Sequence, residues 1–173
     1  MAIMAALSII LVALIHLPIF PAVSFLEYDP ADVPILIGAF LFGPVGGLVL
    51  TVLVSLLQGL TVSAGSGFIG IVMHFAATGC FAFLAGLLYQ KNRTRKTAYI
   101  SLALGILLQT AIMAGMNLWL TPIYMETPRE AVLAMMLPVI VPFNLIKAGV
   151  NALLTAFIYK RIHQLLTKLK LLD

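Results

Sequence analysis

The sequence predicts an all-α integral membrane protein: a bundle of six transmembrane helices with both termini on the cytoplasmic side. Three observations predict it. Of the 173 residues, 62% are hydrophobic and only 9% are charged, and the mean hydropathy is +1.14. A soluble domain runs at about 45–50% apolar and about 25% charged, so water cannot solvate this chain but lipid can. The apolar residues fall in runs of membrane-spanning length. The charges gather between those runs. The polar remainder is too small for a second domain, so residues 1–173 are read as a single transmembrane domain.

Inside hydrocarbon every backbone N–H and C=O must be satisfied within its own segment, so the apolar runs read as helices. The first covers about residues 1–20. It lacks a basic leading segment and is as long as a full span, so it reads as a helix of the mature protein rather than a signal peptide. The second is short, about 33–42, and ends at Gly43-Pro44. The third follows to about Leu60. The fourth covers about 68–90, the fifth 98–120 and the sixth 135–163. About 20 residues at 1.5 Å each are needed to cross the bilayer, so the second helix needs shelter from neighbours or a cavity beside it.

Charge orients the bundle. Lys91, Arg93, Arg95 and Lys96 lie between the fourth and fifth helices, and Lys160, Arg161, Lys168 and Lys170 follow the sixth. These are eight of the ten basic residues, and they mark the cytoplasmic side. Glu27, Asp29, Asp32, Glu126 and Glu130, five of the six acidic residues, fall on the other side. The net charge of +4 therefore reflects topology, not nucleic-acid binding. The Asn92-Arg93-Thr94 triplet lies on the cytoplasmic side, where it is not a glycosylation site. Cys80 has no partner for an intrachain disulfide and reads as a small packing residue. Small residues recur four apart at Ala2/Ala6, Gly43/Gly47, Ala82/Gly86 and Ala111/Gly115, a spacing that lets helix backbones approach closely.

The polar residues inside the apolar runs are the functional signal. In the sixth helix Asn144, Lys147 and Asn151 stand at i, i+3 and i+7 and share one face. A lysine within a span costs about 2.5–3.5 kcal/mol on insertion scales, so something compensates for it. The topology brings Gln58, His74 and Asn117 to the same outer level. Together these residues describe a ligand site in the outer half of the bundle. Gln109, mid-helix, reads as an interhelical hydrogen-bond residue, and His16 as structural. The loop after the first helix carries Leu26, Glu27, Tyr28, Asp29 and Asp32, stiffened by Pro30 and Pro34, and reads as an ordered cap over the site. Carboxamides pair with both C=O and N–H edges, and Phe25, Tyr28, Met113 and Trp119 supply stacking surface. Such a set suits a neutral, polar, planar ligand. No His/Cys/carboxylate cluster suggests a metal.

Three stretches carry a family resemblance: Leu26-Glu27-Tyr28-Asp29-Pro30-Ala31-Asp32-Val33-Pro34, Gly38-Ala39-Phe40-Leu41-Phe42-Gly43-Pro44 and Pro142-Phe143-Asn144-Leu145-Ile146-Lys147. They resemble the riboflavin-specific substrate-binding (S) component of bacterial energy-coupling factor (ECF) transporters, and the resemblance runs the length of the chain. It implies high-affinity riboflavin binding at the outer face of the cytoplasmic membrane and no enzymatic activity. Riboflavin would be transported cargo, with no cofactor. The partners it implies are a transmembrane coupling subunit and two cytoplasmic ATPases, with the S component toppling in the membrane to deliver the vitamin. By motif position Asn144, Lys147 and Asn117 would be ligand residues, and Leu26, Tyr28 and Asp29 part of a gating loop. Ala2 and Ala6 match the family's Ala-x-x-x-Ala docking motif. The partner of Lys147 remains one of three: the flavin ring, its ribityl chain, or a loop carboxylate such as Asp29.

Other classes fit less well. The chain lacks the Gly-x-x-x-x-Gly-Lys-Ser/Thr loop, so ATP-driven work falls to partners. Ser66 between Gly65 and Gly67 suggests an intramembrane protease, but Ala64 breaks that motif, and no histidine is placed to activate the serine. A stand-alone secondary transporter is expected to carry acidic residues inside its spans or an internal repeat; the sequence reading finds neither. An S component for another small vitamin is the nearest alternative.

Overall fold

The structure, a computed structural model, describes residues 1–20, 23 and 26–168, with side chains described up to residue 161. Phe25 and Lys170, named above, lie outside the described residues, as does the side chain of Lys168. The protein is an all-helical bundle. Helix α1 spans Ala2–Leu14, α2 Asp32–Leu60, α3 Gly67–Lys91, α4 Arg95–Met125, α5 Arg129–Met135 and α6 Val141–Lys168. Strands β1 (Leu17–Pro18) and β2 (Glu27–Tyr28) form an antiparallel pair between α1 and α2, with Leu17 opposite Tyr28. Four helical segments are long and apolar enough to cross a membrane: Asp32–Leu60, Ala64–Lys91, Arg95–Met125 and Arg129–Arg161. Ala2–Leu14 is apolar but shorter.

Several boundaries differ from the sequence reading, each for a local reason. The first helix ends at Leu14 rather than near Phe20. Ile15 is already extended (φ −127°, ψ 97°), and Pro18 disfavours helical backbone at Leu17. The chain pairs as β1 instead. The break expected at Gly43-Pro44 is present: within the 29-residue element α2, Gly43 leaves helical geometry (φ 79°, ψ −176°) and separates two helices. Only glycine adopts that φ without strain, and Pro44 brings no N–H to bridge the break. Helix α4 starts earlier and ends later than expected, absorbing Pro122. Ahead of α6, residues Met136–Ile140 make a π-helical turn. Pro138 and Pro142 remove two backbone donors there, so the ladder shifts register. Lys147 consequently sits two turns into α6.

Close helix packing rests on small residues. A Cβ on Gly86 would lie 2.8 Å from Pro44 N and 3.0 Å from Ala39 O, so the backbones of α2 and α3 meet at the kink. A Cβ on Gly47 would meet those of Ala39 and Ala82 at 2.8 and 3.2 Å. These contacts use Gly47, Ala82 and Gly86 as the four-residue spacing predicts. The Ala111/Gly115 pair does not pack: both residues are exposed, and a Cβ on Gly115 would meet nothing within 4 Å. Cys80 is likewise exposed on α3, not packed inside. In α1 the buried residues are Ala5, Ser8 and Val12, whereas Ala2 and Ala6 face outward. The Ser8 hydroxyl donates to Ala31 O at 2.8 Å, tying α1 to the start of α2. One apolar core centres on Leu36, Leu50, Val54 and Phe81; a second joins Leu26 to Val132, Ile140 and Phe143.

This packing yields a test. Gly86→Ala pushes a methyl group against the Pro44 backbone and should cost about 1–3 kcal/mol, seen as a lower melting midpoint of the detergent-purified protein. Gly115→Ala, placed in open space, should leave the midpoint unchanged or slightly raised.

Candidate ligand-binding site

A cavity of about 470 Å³ opens where the C-terminal ends of α2 and α4 meet the N-terminal ends of α3 and α6. Ligand pockets commonly span about 300–1,000 Å³. Leu26, Asp29, Gln58, His74, Asn117, Asn144 and Lys147 all line it. Five separate segments thus bring seven of the expected site residues to one cavity.

Lys147 supplies the charge. Its ammonium lies 2.7 Å from Asp29 Oδ2 and 3.4 Å from Glu27 O. Of the three partners considered for Lys147, the loop carboxylate is the one it meets in this structure. The other carboxylate oxygen of Asp29 accepts from Ala31 N at 3.0 Å, which fixes its orientation. An ammonium has three N–H donors, so at least one remains for the cavity. Asn144 and Asn117 each commit one amide N–H to their own helix, to Ile140 O at 2.8 Å and Met113 O at 2.7 Å. Thr121 donates to Asn117 Oδ1 at 2.8 Å. Both amides are therefore held in one orientation with a second N–H left over.

Tyr28 and Asn151 do not line the cavity. They stand behind it: the Tyr28 hydroxyl donates to Asn151 Oδ1 at 3.0 Å, and Asn151 Nδ2 donates to Asp29 O at 3.1 Å and Asp32 Oδ2 at 3.3 Å. Burial, then the Asp29 charge, pushes the Tyr28 phenol above its ordinary value of 10, so it stays a neutral donor at physiological pH. Trp119, expected as stacking surface, faces outward instead and is 65% exposed, with Arg129 over its ring at 4.3 Å. Met113 does line the cavity.

Asp32 is the residue the sequence reading misplaced. The sequence reads it as part of an ordered cap over the site, with no acidic residue inside a span. It is instead fully buried in the first turn of α2. Oδ1 receives His74 Nε2 at 3.1 Å and Thr78 Oγ1 at 3.0 Å; Oδ2 receives Gln109 Nε2 and Asn151 Nδ2, each at 3.3 Å. Four donors fill the capacity of one carboxylate. His74 also meets Ser55 Oγ through Nδ1 at 2.7 Å. Gln109 makes the interhelical hydrogen bond expected of it, but also lines the cavity, as does His16, which pairs with Glu27 at 2.5 Å. The available signal for Asp32 was its place directly before an unbroken apolar run, Val33 to Phe42, that had to be sheltered. Among the described residues no group of three His, Cys, Asp or Glu side chains could hold a metal ion.

Comparison with known proteins identifies the family of the chain. The family model for the ECF transporter substrate-specific component covers residues 1–159. The chain is 30% identical over 176 residues to a protein named riboflavin transporter RibU from Streptococcus thermophilus, spanning 97% of this chain and 83% of that one. It is 29% identical to a RibU from Staphylococcus aureus, over 88% and 82% of the two chains. It is 28% identical to riboflavin transporter FmnP from Bacillus subtilis, over 83% and 80%. A solved structure described as "Structure and mechanism of the S component of a bacterial ECF transporter" superposes with a TM-score of 0.79 at 27% identity, covering 95% of this chain and 94% of that one. With four apolar spans, a cavity open at one end and a family match over nearly its whole length, the chain belongs to the substrate-specific components of ECF transporters.

Proposed function

We propose that the chain captures riboflavin in this cavity and carries it across the cytoplasmic membrane as the S component of an ATP-driven ECF transporter. It is a transport component and not an enzyme. The observation that carries the reading is that Lys147, Asn144 and Asn117 line one cavity, in a chain whose relatives are named riboflavin transporters. Riboflavin joins a planar ring edged with carbonyls and ring nitrogens to a chain of hydroxyls. An ammonium and two oriented carboxamides suit such carbonyls and nitrogens, and His74, Gln58 and the serines near Ser63 suit hydroxyls. Leu26, Met113 and Phe143 supply apolar surface.

In this reading the cavity faces outward, away from the basic cluster Lys91–Lys96 and Lys160–Arg161. Six membrane segments then run from a cytoplasmic N-terminus to a cytoplasmic C-terminus, with the two halves of α2 counted separately. The segment from Leu26 to Ala31 covers the cavity, anchored by Leu26 in the second core and by the Lys147–Asp29 pair. A transmembrane coupling subunit and two ATPases supply the energy, and the outward-facing Ala2 and Ala6 of α1 offer a docking stripe.

Purified protein should be yellow from bound flavin, and riboflavin should quench its fluorescence in a saturable titration. A colourless, non-binding preparation excludes the riboflavin assignment. Lys147→Ala should weaken binding about ten- to hundredfold, since hydrogen bonds to a charged group are worth roughly 1.5–3 kcal/mol. Asn144→Ala should weaken it less. Unchanged affinity in both variants moves the site elsewhere. The paired change Ala2→Leu with Ala6→Leu should leave riboflavin binding intact and abolish uptake by cells carrying the whole transporter; normal uptake argues against docking through α1.

A further inference from the structure

A second cavity, of about 270 Å³, lies at the opposite end of the bundle, between the end of α3, the start of α4 and the end of α6. Among the described residues its wall carries three cations, Arg93, Arg95 and Lys160, and no carboxylate. None of the three forms an ion pair among the described residues. Its floor is aromatic. Phe40, Tyr89 and Tyr159 pack with ring centroids 4.8 to 5.6 Å apart, and Phe40 and Tyr89 are buried. Ala98, Leu102 and Ala156 complete its apolar side, and Tyr99 brings a phenol to its edge. Below it the outer faces of α4 and α6 expose Leu104, Leu107, Leu153 and Phe157.

Cations that serve only to orient a membrane protein need no cavity; solvated loops suffice. Here they ring a hollow whose inner wall is apolar and which meets lipid-facing helix surface. A metal ion is excluded by the charge of the wall. A neutral apolar guest gives no reason for three positive groups. The chemistry that uses both parts is a phosphate ester carried on an apolar body, with the phosphate at the guanidinium and ammonium groups and the apolar part along α4 and α6. Basic pockets between membrane helices on the cytoplasmic side recognise anionic headgroups in this way.

We propose that this cavity is a binding site for a phosphate ester, supplied by the headgroup of an anionic phospholipid. It is independent of the riboflavin cavity, which is built from the other ends of the same helices.

The test is a thermal-shift titration of the detergent-purified full chain with short-chain phosphatidylglycerol, short-chain phosphatidylcholine and inorganic phosphate in separate arms. Phosphatidylglycerol should raise the melting midpoint saturably, and phosphatidylcholine should not. Each basic side chain near a charged headgroup is worth roughly fivefold in affinity. The combined change Arg93→Gln, Arg95→Gln and Lys160→Gln should therefore raise the half-saturating concentration by at least about tenfold. The replaced residues are exposed, so the variant should fold, and riboflavin binding at the far end should serve as the check that it has. A saturable response to phosphate matching that to phosphatidylglycerol assigns the source to a soluble phosphate and overturns the lipid assignment. Equal shifts with phosphatidylcholine, no shift with either anion, or an unchanged response in the triple variant overturns the site itself.

Discussion

The fold closes around one buried carboxylate. Asp32 sits at the top of α2 with no exposure, and an unpaired charge in such a place would cost several kcal/mol. Its two oxygens are met by four donors from three other helices: His74 and Thr78 on α3, Gln109 on α4 and Asn151 on α6. Each donor sets the height and rotation of the helix that carries it. The carboxylate therefore fixes how four helices sit at the level of the cavity. In a membrane, where lipid tails are as apolar as the helix faces, packing and such hydrogen bonds set the association geometry.

The same group ties the cavity to the segment over it. Asn151 Nδ2 bridges Asp32 to the backbone of Asp29, while Asn151 Oδ1 accepts from Tyr28. Asp29 in turn holds Lys147. Cavity wall and covering loop are thus parts of one hydrogen-bonded network, and a guest that competes for Lys147 competes with the loop carboxylate.

The two ends of the bundle are chemically distinct. One end holds a polar cavity where Lys147 pairs with Asp29 and His16 with Glu27; the other holds cations with no ion pair among the described residues, set over packed aromatics. The kink at Gly43 lies toward the second end, close to Gln90 near the end of α3, and Gly86 one turn earlier lets α3 press on the α2 backbone.

Composition and run length were enough to assign the membrane class, because the energy of lipid contact depends on residue type and run length alone. Spacing within the sixth apolar run put Asn144, Lys147 and Asn151 on one face, because helical period is local. The Gly43-Pro44 break was legible for the same reason. Tertiary structure alone decided the rest. Trp119 turned outward and the Ala111/Gly115 pair found no neighbour, since which face of a helix meets another is set by the whole bundle. Asn151 and Tyr28 went behind the cavity wall rather than into it. Asp32, polar and next to proline-rich loop sequence, carried every local sign of exposure. Only the arrival of four donors from distant parts of the chain makes its burial affordable, and no window of sequence contains them all.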